Sequence, residues 1–239
     1  MPWLAAGGIS LVALGLVLLI RPDPQRIAEL IAGHDDAAPA EPVAPLGEML
    51  RRPGVRPAML AALASFGVMV SVMNLSGYVV VEHHLHHQAD VFPVIGAHVF
   101  GMYALVIVVG TLIDRIGRLP ALSGGLIVMA ASTIGLLWAE SVVATAILLF
   151  GLGVGWNLSF VAATAQLADA TSATERGKLL GFNDFLSAML GAGLALLGGY
   201  ALDSIGVAAL ALGATAIVAA PVLWLLPAWL RGSPVQSAP

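Results

Sequence analysis

The chain has 239 residues, 59% of them apolar and only 10% charged, with a mean hydropathy of +0.95 and a formal net charge of −4. Water-soluble domains carry roughly 25% charged residues, so lipid is the solvent for most of this chain. The lack of a basic patch argues against a nucleic-acid partner, and the absence of cysteine excludes disulfides, thiolate metal sites and cysteine nucleophiles.

A helix that crosses a bilayer needs about 20 mostly apolar residues. The first apolar run covers Trp3 to Ile20 and stops at Arg21–Pro22–Asp23–Pro24; no positive charge precedes it as in a signal peptide, so residues 1–20 read as a retained helix. Residues 21–56 read as a polar linker, in which Pro22, Pro24, Pro39, Pro42, Pro45 and Pro53 forbid one continuous helix. Six further spans are predicted at Pro57–Val81, Phe92–Ile113, Leu119–Trp138, Val142–Leu167, Leu179–Leu202 and Gly206–Leu230, one domain over 57–230 followed by a tail, 231–239. Pro57, Pro93 and Pro120 sit near helix starts, where a missing N–H costs nothing. Glycines inside the spans, such as Gly151, Gly153 and Gly155, allow close helix approach and predict a bundle.

With these spans, all ten Lys and Arg residues fall on one side of the membrane. The opposite loops hold Glu82, four histidines, Asp90, Glu140 and Asp203. The positive-inside rule then places the N-terminus outside and the C-terminus in the cytoplasm of a multi-pass inner-membrane protein. The expected fold class is all-α integral membrane, with seven transmembrane helices arranged as one plus six. No lysine lies inside a span to hold retinal, which excludes a rhodopsin-like pigment. A phosphate-cradling loop, G-x-S-x-G and H-E-x-x-H are all absent, so neither an enzyme nor a cofactor is expected.

One loop carries a signature. It reads Gly110-Thr-Leu-Ile-Asp114-Arg115-Ile-Gly117-Arg118-Leu-Pro-Ala-Leu122. Glycines turn the backbone, Asp114 suits a helix N-terminus, and Arg115 and Arg118 anchor the loop and pair with carboxylates. It resembles, at every defining position, the loop G-x-L-x-D-R-x-G-R-x-x-x-L of the major facilitator superfamily. That resemblance implies that the chain corresponds to helices six to twelve of a twelve-helix secondary transporter, with the linker as the central cytoplasmic loop and six helices forming two inverted three-helix repeats. It further implies alternating access, a loop that latches onto the opposite half, and a missing N-terminal half (helices one to five) as partner. A non-transporting half-transporter is the structural alternative. Loop Asp169–Lys178, with Glu175-Arg176-Gly177-Lys178, falls where the second repeat echoes the first.

Several residues within the spans are candidate substrate ligands. Met69 and Met73, and likewise His98 and Met102, are spaced i, i+4 and share a helix face. Thioethers and imidazole suit Cu(I), whereas methionine also fills gaps in apolar interiors. The pair of motifs is similar to that of the bacterial copper-importing major facilitator transporters that supply haem–copper oxidase assembly. That resemblance implies a copper ion as solute, with Met69, Met73, His98 and Met102 as its ligands; the alternative is a proton-coupled drug or metabolite carrier. The external stretch with His83, His84, His86 and His87 reads as a metal-capture loop or as a pH-sensitive polar loop. Asp184, beside Asn183, reads as a coupling or gating carboxylate or as a local partner of Arg176 or Lys178. Asn157, after Trp156, serves as interhelical glue or as a cavity contact.

Overall fold

The structure is a computed structural model that describes residues 2–21, 27 and 43–230. It divides into two units, one ending at Pro42 and one starting at Val43. In the first, α1 (Pro2–Leu19) contains Ser10 as its sole polar side chain. The predicted tail at 231–239 and most of the predicted linker lie outside the described residues.

The described residues of the second unit are mostly helical and include no strand. A short turn of helix, α2 (Leu46–Met49), precedes α3 (Val55–Tyr78), which runs on into a π turn at Val79–His83. Then come α4 (Val91–Tyr103), α5 (Val106–Ile116), α6 (Arg118–Gly135), α7 (Val142–Asp169), α8 (Ala173–Ser204) and α9 (Val207–Leu230). Local chemistry starts these helices. The Ser141 hydroxyl accepts the Ala144 amide at 3.2 Å at the head of α7. Ser172 and Glu175 form a capping box at the head of α8.

Among the described residues, five helices are long and apolar enough to cross a membrane, and α4 with α5 makes a sixth. The seventh expected span falls on α1, in which the apolar stretch Ser10–Leu19 is shorter than a span. One expectation is refined and one needs correction. The span predicted over Phe92–Ile113 is a broken one, two helices bent by 44° at Ala104–Leu105. The stretch Asp169–Lys178 is mostly helix, because the capping box at Ser172 lets α8 begin at Ala173, before the apolar run. Residues 43–56, read from sequence as the end of the linker, are folded onto the six-helix unit: Met49 is fully buried and α2 packs on α8.

The pairing of helices is symmetric. The helix α3 packs on α7, α8 and α9, while α7 packs on α3, α4 and α6; α6 also packs on α9. Exchanging α3 with α7, α4–α5 with α8, and α6 with α9 maps these main contacts onto one another, as two three-helix repeats related by a two-fold axis require, although α3 also touches α6 without a comparable contact of α7 with α9. Small residues set the spacing. A Cβ on Gly125 of α6 would lie 2.6 Å from the Gly155 carbonyl oxygen of α7, and one on Gly153 of α7 would strike the His98 carbonyl oxygen of α4. Both obstacles are backbone, which cannot move aside, so these helices touch main chain to main chain.

Candidate functional site

Every Lys and Arg of residues 43–230 lies at one end of the six-helix unit, and the histidine loop lies at the other. At the basic end the signature loop is the sharp joint between α5 and α6. Gly117 adopts φ +89°, which favours glycine, whereas Gly110 sits inside α5 with open space where a Cβ would be. Of these two motif glycines only Gly117 makes the turn. Arg118, the first residue of α6, donates from Nη1 to Asp114 Oδ1 at 2.8 Å and from Nε to Asp169 Oδ2 at 3.2 Å. One guanidinium therefore ties the loop to the end of α7, in the other repeat. Arg115 is exposed beside it.

A second clamp stands nearby. Arg52 donates to both oxygens of Glu175, at 2.6 and 2.8 Å, and to the Ala170 carbonyl at 3.0 Å. The same carboxylate accepts the Ala44 amide at 3.3 Å and the Ser172 amide at 3.2 Å. Glu175 thus caps its own helix and straps residues 44–52 to the α7–α8 corner at once.

The predicted copper ligands divide. Met69 and Met102 are each only 6% exposed and belong to one buried apolar cluster, with half-buried Met73 packed against it. His98 is fully buried and turns toward α7, its Nδ1 2.9 Å from the Leu149 carbonyl oxygen. A carbonyl only accepts, so Nδ1 carries the proton and Nε2 holds a lone pair with no protein partner. Among the described residues, no three of His, Asp and Glu converge to hold a metal ion.

Asp184 is exposed, and its nearest donor is Asn183 Nδ2 at 3.4 Å. The expected local pairing with Arg176 or Lys178 is not made. Those residues lie eight and six positions earlier, and they donate instead to the Ala168 and Ala44 carbonyls at 3.3 and 3.1 Å. Asn157 is 1% exposed, with its Nδ2 unpartnered.

Beside Asn157 runs a row of aromatic rings absent from the sequence reading. Phe66 of α3 meets Phe160 of α7 at 5.6 Å between centroids, and Phe160 stacks on Trp156 at 5.2 Å and 13°. Trp156 in turn meets Tyr103 of α4 edge-on, at 6.3 Å and 70°. Trp156 is 9% exposed with its Nε1 unpartnered, while Tyr103, the last residue before the α4–α5 bend, is 60% exposed. The i, i+4 spacing of Trp156 and Phe160 was the visible signal; their partners come from distant helices.

At the histidine end the rings of His84 and His86 meet edge-on, 6.1 Å apart, and the others turn to different neighbours. His83 sets its ring against Tyr78, 5.7 Å away. His84 lines a small apolar cavity with Val72, Val79, Leu149 and Leu210, and its Nδ1 is buried without a partner. Burial pushes the His84 pKa below the usual imidazole value, and neighbouring His86 and His83 act in the same direction against Glu140. His86 Nε2 lies 2.8 Å from the Glu140 carbonyl oxygen, and the His87 amide donates to Asp90 at 3.1 Å. In the stretch read as a capture loop, His83, His86 and His87 each have a local partner in addition to the His84–His86 contact.

The chain matches the sequence model described as Major Facilitator Superfamily over residues 1–195 and again over 82–239. It is 32% identical over 234 residues to the uncharacterized MFS-type transporter YdeG of Bacillus subtilis, covering 96% of this chain and 53% of that protein. It is 33% identical over 185 residues to the riboflavin transporter RfnT of Brucella anthropi, covering 77% and 44% respectively. A second Bacillus subtilis relative, the uncharacterized MFS-type transporter YddS, is 31% identical over 201 residues, covering 80% and 45%. The chain thus spans about half the length of the curated relatives it matches.

Proposed function

The chain belongs to the Major Facilitator Superfamily, and on that premise we propose that its six-helix unit is one half of a secondary transporter that carries a small organic solute by alternating access. The observation that carries the proposal is the fold of the signature loop. Arg118 clasps Asp114 and Asp169 across two repeats, while the Asp114 side chain stays 72% exposed and open to a second half. The basic end faces the cytoplasm by the positive-inside rule. Rocking of the two halves breaks and remakes the contacts of Asp114 with the opposite half. Asp184, an exposed carboxylate of α8 beside Asn183, is the coupling or gating candidate.

An organic solute is favoured because Met69 and Met102 are packed into the apolar core, and because one relative carries the name of a riboflavin transporter. A copper ion is the second reading, favoured by the free lone pair of His98 Nε2. Uptake of labelled riboflavin and of copper by cells expressing the full-length protein tests both. The expected result is uptake of the organic tracer that falls severalfold in Asp114→Asn at matched membrane abundance. Copper uptake abolished by His98→Ala, with no organic uptake, would install the second reading. Cells with and without the protein behaving alike toward both tracers and a wider solute panel would remove the transporter.

A further inference from the structure

The bend at Ala104–Leu105 has no proline or glycine at the break to explain it, although sharp kinks usually have such a cause. It lies halfway along the span: α4 supplies 13 residues and α5 supplies 11, roughly 20 Å and 17 Å of helix. It is therefore near mid-membrane. Up to Met102, α4 is held to α7 main chain to main chain at Gly101 and Gly153; beyond it, Val106, Ile107 and Val108 of α5 are exposed. Tyr103 and Ala104 are exposed at the break itself. An interrupted helix at membrane depth is tolerated only against protein or water, not against acyl chains. The open side of the break therefore faces protein or water.

Two unpartnered donors lie on the stretch of α7 beside the break. Trp156 Nε1 and Asn157 Nδ2 are buried donors without partners, on successive residues of α7, and Trp156 meets Tyr103 directly. A buried donor left unmade costs enough that its partner has to come from elsewhere. The apolar contribution is the row Phe66–Phe160–Trp156–Tyr103, which fixes the Tyr103 ring from behind and leaves it exposed.

Resting on the transporter reading above, we infer that the α4–α5 break is the solute site and that its solute is a flat aromatic heterocycle rich in hydrogen-bond acceptors. Tyr103 stacks on the ring, and Trp156 Nε1 and Asn157 Nδ2 donate to its carbonyl or ring-nitrogen atoms. Aliphatic solutes of similar size gain nothing from the rings. Flat hydrocarbons leave the donors unpaired.

The test is equilibrium binding of lumichrome, a neutral tricyclic probe, to the full-length purified protein, read by fluorescence. Stacking predicts binding that weakens about tenfold in Tyr103→Leu and stays within about twofold in Tyr103→Phe. Trp156→Phe, which keeps a ring but deletes the donor, weakens lumichrome severalfold and leaves the acceptor-free hydrocarbon anthracene unchanged. Tyr103 is exposed, so its variants keep the packed core, and an unchanged melting temperature verifies this. Wild-type protein that does not bind lumichrome, or equal binding by wild type and Tyr103→Leu, overturns the site. Uptake measured on the same variants separates the two readings. Binding that depends on Tyr103 without uptake of any solute retains the site and removes the transporter; uptake with lumichrome binding that ignores Tyr103 does the reverse.

Discussion

The two ends of the six-helix unit are closed by different chemistry. At the basic end two guanidinium groups do the holding: Arg52 on Glu175, and Arg118 between Asp114 and Asp169. At the histidine end no Lys or Arg is present, and the contacts are an imidazole in an apolar cavity and another at a backbone carbonyl. Guanidinium and carboxylate hold their charges throughout about pH 5 to 8, whereas histidine does not. Exposed ion pairs are screened by salt, and buried neutral rings are not. The comparison teaches that one end is built to answer to salt and the other to pH.

The largest break in that comparison is expected from Glu175→Gln. The carboxylate accepts from Arg52 twice, from Ala44 and from Ser172, so its loss loosens the strap and the α8 cap together. The apparent melting temperature of purified protein should fall by several degrees. The double variant with Arg52→Gln should recover part of that loss, because a half-buried guanidinium is no longer left unpaired. An unchanged melting curve would mean that residues 44–52 are not held by this pair.

Arg118→Lys should act on transport more than on stability. The carboxylates it reaches are 72% and 58% exposed, and exposed pairs contribute about 0–1 kcal/mol. A lysine keeps the charge but lacks the fork that reaches Asp114 and Asp169 at once. Initial uptake should drop severalfold with little change in melting. Equal losses in both measurements would make the clasp a structural brace, not a moving latch.

What was legible in the sequence follows the same division. Charge distribution and the signature loop placed the basic end, since Gly117 and Arg118 act through local geometry that a motif records. The capping box at Ser172 and Glu175 was equally local, yet the charges at 175–178 outweighed it and the segment read as a loop. The bend at Ala104–Leu105 had no breaker residue to announce it; it follows from where the main-chain contact of α4 with α7 ends. The aromatic row was half visible, as Trp156 and Phe160 share a face, but Tyr103 and Phe66 arrive from other helices. The i, i+4 spacing of His98 and Met102 was visible too, and it gave no information on which neighbour each would face.

The smallest effect, and the one that sharpens the comparison most, is the pH response of His84. Burial lowers its pKa in the folded protein, so the unfolded chain takes up the proton first as pH falls. Above about pH 6.5 the ring is neutral in both states and no penalty exists. Below that value the unfolded state gains protons that the folded state refuses, and stability declines. The wild-type melting temperature should therefore fall from pH 7.5 to 5.5, and His84→Leu should remove most of that slope, because leucine suits the cavity of Val72, Val79, Leu149 and Leu210. His86→Ala should weaken the slope but keep most of it, since burial is the larger cause of the His84 shift and His86 only adds to it. Adding salt should leave the His84 slope in place while it weakens the Arg118 clasp. A slope that survives His84→Leu would assign the acid response to another group and dissolve the division between the ends.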